Sequence, residues 1–177
     1  MIICAGKQEV FDFAKTIGIG LIDSAYGLTK LCIENKPESL LFIGSAGSYG
    51  NNKIFDIIES SCSSNIETGF WHENCYTPIS NKSCSSFISN DEIIVNSSNY
   101  ITTNKEISSK FIENNICIEN MEFHSLVLIA NKFNIPIKGI FIITNYTNKD
   151  AHKDFIKNHK EAMCLLVDYL KRNNYIR

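Results

Sequence analysis

PESLLFIGSAGS, residues 37–48, decides how the chain is read. Pro37 ends whatever helix precedes it, since proline has no backbone N–H and pushes its neighbour out of helical geometry. Leu40 to Ile43 is an unbroken apolar run bounded by glycine, the pattern of a strand buried on both faces of a parallel sheet. Gly44, Ser45, Ala46 and Gly47 follow, small residues suited to a place where backbone comes close to a ligand. A serine hydroxyl and free N–H groups there can hold sugar or phosphate oxygens. The same four residues equally describe a tight turn after a strand. No Gly-Lys-Ser/Thr follows and the spacing is not GxGxxG, so neither a Walker loop nor a dinucleotide fingerprint is present.

Outward from this stretch, strand and helix patterns alternate. Residues 1–5 read as a short buried strand ended by Gly6. The glycine-containing run IGIGLI (17–22) leads into a helix over 24–34, with Ala25, Leu28, Leu31 and Cys32 at helical spacing. Beyond Gly47, residues 54–60 and 93–95 read as strands, 105–113 as a helix, and 121–133 as a helix closed before Pro136. Residues 137–143 form the most apolar strand, and 150–172 a long amphipathic helix with Phe155, Ile156, Met163, Leu166, Val167 and Leu170 inward. Residues 60–90, rich in Ser, Asn and Cys, read as surface loops and short strands. The alternation predicts one α/β domain over 1–177, with a mostly parallel or mixed sheet flanked by helices.

With 177 residues, 44% apolar and 20% charged, the chain can bury a core without metals or disulfides. A net charge of −2 gives no general pull toward nucleic acid or an anionic membrane. The apolar start is too short for a signal peptide or a membrane span. The seven cysteines are scattered, odd in number and without a CxxC pair, which predicts free thiols in a reduced, cytoplasmic protein, with a disulfide-bonded protein as the weaker alternative. His72, His124, His152 and His159 lack metal-ligand spacing, so no metal is expected. His124 reads as a core residue, His152 and His159 as exposed helix residues.

Three further positions can carry chemistry. Glu9, just past the first strand, is either a general base toward water or a solvated loop acid. Met121 and Glu122 open a helix. The Glu122 carboxylate can accept hydrogen bonds from two vicinal ribose hydroxyls or complement the dipole of its own helix. Thr144 and Asn145 end the most apolar strand, where ligands of open α/β sheets bind and where a turn asparagine is also ordinary.

Singly these signals are weak, but their order is specific. It resembles that of the methylthioadenosine/S-adenosylhomocysteine nucleosidases and their relatives, the purine nucleoside phosphorylases and futalosine hydrolases. AGKQEV (5–10) resembles the segment bearing the family's catalytic glutamate, here Glu9, and GIG (18–20) the lead into its first long helix. PESLLFIGSAGS resembles the central strand and its turn. NKIFDIIES (52–60) is similar to a glycine–aspartate strand, with Phe55 where the glycine stands. VNSSNYI (95–101) resembles the segment whose aromatic residue stacks on the purine, here Tyr100 beside Ile101. NMEFHS (120–125) resembles the Met-Glu pair that grips ribose, and IITN (142–145) the strand end bearing the purine-binding acid. The resemblance implies a three-layer α/β/α fold around a twisted mixed sheet, nucleoside phosphorylase-like, with no cofactor. It also implies a homo-oligomer, commonly a dimer, whose partner subunit often completes the site.

Three departures from that pattern matter. Only FDFAKT (11–16) separates Val10 from Ile17, where the family has a hairpin, which predicts an opened site or a displaced Glu9. The family's purine-protonating aspartate is Asn145 here. An amide can bond N7 and the 6-substituent but cannot act as an acid, a loss worth roughly 10²–10⁴ in rate; relatives acting on 6-oxopurines carry asparagine at this place. The arginine with which phosphorylases hold phosphate is Phe42 here, and the only arginines are Arg172 and Arg177. A buried phosphate without a charge-paired donor is costly, and Lys7 is a less specific substitute. Together these features predict hydrolysis of the N-glycosidic bond of a purine nucleoside. Glu9 activates water, Glu122 holds ribose, Tyr100 and Ile101 hold the base, and Asn145 bonds N7 and the 6-position. Ser45 and the Gly44–Gly47 backbone line the ribose and water side. Phosphorolysis, a non-catalytic purine-nucleoside-binding protein and a structural subunit without ligand stand as alternatives. Residues 61–90 are expected to shape the 5′ end of the site.

Overall fold

In the computed structural model, which describes residues 1–73, 75–86 and 93–177, the elements follow in a simple alternation. They are β1 (Ile2–Cys4), β2 (Lys15–Thr16), α1 (Gly20–Asn35), β3 (Leu40–Ser48), β4 (Ile57–Ser60), β5 (Cys62–Ser64), α2 (Thr68–Trp71), β6 (Lys82–Cys84), β7 (Ile94–Asn96), α3 (Lys105–Glu113), β8 (Ile116–Glu119), α4 (Phe123–Lys132), β9 (Ile137–Tyr146) and α5 (Ala151–Arg172).

β3 is the hub of one mixed sheet. It pairs in parallel with β9 from Leu40↔Ile137 to Ser48↔Tyr146. Its other edge takes β1 in parallel first and then β8, antiparallel, at Gly47 and Ser48. β2 lies outside β1, β4 outside β9, and β7, β5 and β6 follow in that order beyond β8. Side chains alternate across a strand. Leu40, Phe42 and Ala46 therefore pack with Leu28 of α1 and Leu126 and Val127 of α4. Ile43, with Ile140 and Ile142 of β9, packs instead on Ala162, Leu166 and Leu170 of α5. Helices on both faces of a mixed sheet give the three-layer α/β/α architecture expected. Phe42 sits in a ring cluster with Phe123 and Phe141, fully buried, so its place is one of packing.

Several boundaries differ from those read off the sequence. The apolar strand does not turn at Gly44; it runs through the motif to Ser48, because β9 supplies backbone partners all the way and β8 takes over the other edge. β9 likewise continues past Ile143. Ala46 faces Ile143 but Gly47 faces Asn145, so Thr144 is the extra residue of a bulge, a device that re-aims side chains at a sheet rim. β4 is shorter than 54–60 because Phe55 adopts φ 71°, a left-handed conformation that glycine takes without strain. α1 begins at Gly20, earlier than the apolar spacing indicated, and closes at a left-handed Lys36 just before Pro37.

The expectation of free thiols throughout is corrected at one pair. Cys62 and Cys84 face each other across the antiparallel β5–β6 ladder and form a disulfide. A separation of 22 residues leaves no motif in the sequence. His124 is buried as expected, its Nδ1 3.1 Å from the Ser63 hydroxyl. His159 is half-buried rather than exposed, its ring centroid 4.9 Å from that of Phe155. Among the described residues no helix is long and apolar enough to cross a membrane, and no group of three His, Cys, Asp or Glu side chains is arranged to hold a metal.

Candidate active site

A cavity of about 370 Å³ opens beyond the C-terminal ends of β1, β3 and β9, within the size range of small-molecule sites. Glu9, Ser45, Ala46, Gly47, Tyr100, Ile101, Met121, Glu122, Thr144 and Asn145 all line it.

Glu9 is brought there by a reversal after β1. Gly6 (φ 112°) and Lys7 (φ 54°) turn the chain back, and the Glu9 N–H donates to the Gly6 carbonyl at 3.0 Å. The side chain then lies over β3, where Oε1 accepts the Ser45 N–H at 2.9 Å and the Ser45 hydroxyl. Burial raises the Glu9 pKa, and the two Ser45 bonds work against that rise. The short 11–16 segment therefore does not displace Glu9, which is 8% exposed; β2 within that segment pairs with β1. Gly44 is a correction. It does not line the cavity but stands behind this carboxylate, where an added Cβ would lie 2.8 Å from Glu9 Oε2. Its contribution is room for Glu9 rather than contact with a ligand.

Glu122 sits at the N-terminus of α4 yet leaves that helix to another cap. Asn120 Oδ1 accepts the N–H groups of Glu122 and Phe123, both at 3.0 Å. Glu122 Oε1 instead accepts the Gly20 N–H at 2.9 Å, across 102 residues of chain. Gly20 opens α1, whose N-cap Ile19 has no polar side chain to offer; the next N–H, of Leu21, goes to Asn99 Oδ1. The carboxylate thus meets the positive end of a helix other than its own. Burial raises the Glu122 pKa to about 7, the Gly20 bond opposes this, and the nearby Glu9 charge adds to it.

Asn145, 6% exposed, has its Oδ1 bonded by the Thr144 hydroxyl at 2.9 Å, and its Nδ2 donates to the Tyr146 carbonyl at 3.3 Å. The amide therefore keeps one N–H for the cavity. Tyr100 and Ile101 form part of the rim, exposed to 79% and 50%. Ala151, His152 and Phe155 at the start of α5 also line the cavity. None of the described residues of 61–86, part of the stretch expected to shape the 5′ end, lines the cavity; residues 74 and 87–90 lie outside the described residues.

Sequence reasoning missed Glu119, Asn120 and Phe155. Phe155 reads as one more inward residue of an amphipathic helix, and Asn120 as a loop residue. Glu119 ends β8 and takes hydrogen bonds from the Thr102 N–H and the Tyr49 hydroxyl, both at 3.0 Å. Burial lifts its pKa to about 7 against the pull of those donors. A lone acid at the end of a short strand has no sequence signature; proximity to the Asn-Met-Glu run was the one available hint. The cavity thus gathers the carboxyl groups of Glu9, Glu119 and Glu122, the serine hydroxyls of Ser45 and Ser98 and the carboxamides of Gln8, Asn120 and Asn145, with Lys7 the lysine among its described lining residues.

No protein-family model matches the chain, and no curated protein matches it. Solved structures do. A mutant futalosine hydrolase of Helicobacter pylori strain 26695 superposes with a TM-score of 0.79 at 16% identity, over 96% of this chain and 95% of that one. A mutant H. pylori methylthioadenosine nucleosidase with 5′-methylthioadenosine in its active site gives 0.76 at 17% identity, over 90% of this chain and 78% of that one. The S. pneumoniae methylthioadenosine/S-adenosylhomocysteine nucleosidase with the transition-state inhibitor MT-ImmA gives 0.74 at 16% identity, over 96% and 95%. The chain therefore has the fold of these nucleosidases, and the resemblance read from the sequence holds at the level of fold.

Proposed function

We propose that the chain hydrolyses the N-glycosidic bond of a purine nucleoside. The observation that carries this reading is the pairing of Glu9 with Glu122 in one cavity, both buried, one tied to Ser45 and the other to a helix N-terminus. Glu122 accepts hydrogen bonds from the ribose hydroxyls. Glu9, whose Oε1 is held by the Ser45 N–H and hydroxyl, takes a proton from water as the water oxygen bonds the anomeric carbon of a sugar with oxocarbenium character. The electron pair of the broken C–N bond leaves with the base, and the free N–H of Asn145 bonds the departing purine at N7 and the 6-position, which suits a 6-oxopurine. Tyr100 and Ile101 cover the base, and Met121 and the Ser45–Gly47 backbone face the sugar. The exposed rim is where a second copy of the chain closes the site in a homodimer.

Hydrolysis is favoured over phosphorolysis because Phe42 is core and the cavity's described lining has no arginine. The test is release of free base from inosine, adenosine, methylthioadenosine and futalosine with and without phosphate. Equal release without phosphate is expected. Ribose-1-phosphate as product overturns hydrolysis in favour of phosphorolysis; tight nucleoside binding without any release makes the protein a binder.

A further inference from the structure

Asn120 lines the cavity wall but has no part in that mechanism. It is 8% exposed and directly follows β8. Its N–H donates to the Asn96 carbonyl of β7 at 2.9 Å, which carries the β7–β8 pairing past Glu119. The side chain then reaches in two directions. Oδ1 accepts the N–H groups of Glu122 and Phe123, both at 3.0 Å. Nδ2 donates to the Ser45 carbonyl of β3 at 3.1 Å. The amide fits in one sense only. Reversed, its NH2 would face two N–H donors and its oxygen a carbonyl oxygen.

Ser45 needs such a partner because of a gap in the sheet. On this edge of β3, β1 is in register as far as Phe42 and β8 from Gly47. Among the described residues no strand is in register with Ser45 on that edge. The N–H and C=O of one strand residue point to the same side, so both Ser45 backbone groups face the gap. Two side chains fill it. Glu9 Oε1 accepts the N–H at 2.9 Å, and Asn120 Nδ2 supplies the carbonyl's donor. A short chain of bonds thus runs from the Glu122 backbone through Asn120 and Ser45 to Glu9, and the two carboxyl groups are connected through a single amide.

We propose that Asn120 is a positioning residue: it fixes the Glu122 backbone at one end and the β3 backbone that holds Glu9 at the other, and so sets the spacing between the ribose-binding and the water-activating carboxyl groups. The proposal rests on the nucleosidase reading above. A misplacement of about 1 Å in such a constellation can cost ~10²-fold in rate. The two arms of the amide are separable. Serine caps a helix about as well as asparagine but has no second polar group for Ser45, so Asn120→Ser keeps the Glu122 arm and cuts the Ser45 arm. Asn120→Ala cuts both.

The experiment measures kcat and KM for base release without phosphate, on whichever of inosine, adenosine, methylthioadenosine and futalosine the wild type cleaves fastest. Asn120→Ser is expected to lower kcat ~10–10²-fold with KM within ~3-fold of wild type. Asn120→Ala is expected to lower kcat as much and also to raise KM ~10-fold, because the Glu122 backbone loses its support. Asn120→Ser added to Glu9→Gln, where water activation is already lost, is expected to lower kcat by less than ~3-fold further. An asparagine that serves stability alone would cost the same in both backgrounds. Wild-type kcat in Asn120→Ser, or an equal loss in the two backgrounds, overturns the assignment and leaves the nucleosidase reading intact. So does a wild-type KM in Asn120→Ala. A wild type that releases no base from any of the four nucleosides removes both readings. Asn120→Ser retains the cap, so an Asn120→Ala protein that does not fold leaves the decision with the serine variant and its double mutant.

Discussion

Glu9, Glu122 and Asn145 on the inner wall of the cavity are each 8% exposed or less, whereas Tyr100 and Ile101 on the rim are 79% and 50% exposed. The inner groups are held before any ligand arrives, by Ser45, Gly20 and Thr144. The Tyr100 and Ile101 side chains stand in solvent and gain burial only when something covers them. The contrast separates two roles. Groups fixed on strand and helix ends can act on reacting atoms without reorganising, while exposed apolar groups contribute affinity. Substitutions on the inner wall should therefore change turnover or stability, and those on the rim should change binding.

The largest effect is expected at Glu9. Glu9→Gln keeps an acceptor for Ser45 but cannot take a proton, so kcat should fall ~10²–10⁴-fold with KM little changed. Steady-state kinetics of base release check this; a fully active variant would remove the inner wall's catalytic role. A smaller effect is expected at the rim. Tyr100→Ala loses base stacking worth about 1–3 kcal/mol, so KM should rise ~10-fold while the thermal midpoint stays put. A collapse in kcat at constant KM would erase the distinction between the walls.

The smallest effect is on stability. Glu119 and Glu122 have folded pKa values of about 7 against an ordinary 4.5, so the folded state holds more protons than the unfolded chain across that interval. Their contribution is complete below about pH 4.5 and is lost as pH rises through about 7. His124 and His159 have lowered pKa values through burial and act in the opposite sense below their ordinary range. The clean window is therefore pH 6.5 to 8, where the melting temperature should fall by a few degrees. Glu119→Gln should flatten that slope, and a wild-type melting temperature that climbs over the same interval would show that the inner carboxyls are not destabilised by burial.

The buried strands were legible because burial on both faces leaves a compositional mark, as at Leu40–Ile43 and 137–143. The motif after Ile43 was misread because small residues look alike in a turn and in a crowded central strand. What decides between them is the pairing of β3 with β8 and β9, formed far away in the chain. The same limit explains the site. Glu9, Glu122 and Asn145 were found, but Glu122's partner Gly20 and Gly44's service to Glu9 exist only in three dimensions. Glu119 was invisible because its meaning lies in a register opposite Gly47, and Cys62 and Cys84 pair for a similar reason.

The Glu122–Gly20 bond joins positions 102 residues apart, and Glu9–Ser45 joins positions 36 apart. No contiguous fragment short of the whole run from Glu9 to Asn145 holds all the groups of the site. During refolding, recovered turnover will mark completion of the chain's most distant pairings and not the earlier appearance of helix or compactness. An optical signal and an activity signal recorded on the same refolding sample therefore report different stages of the same process.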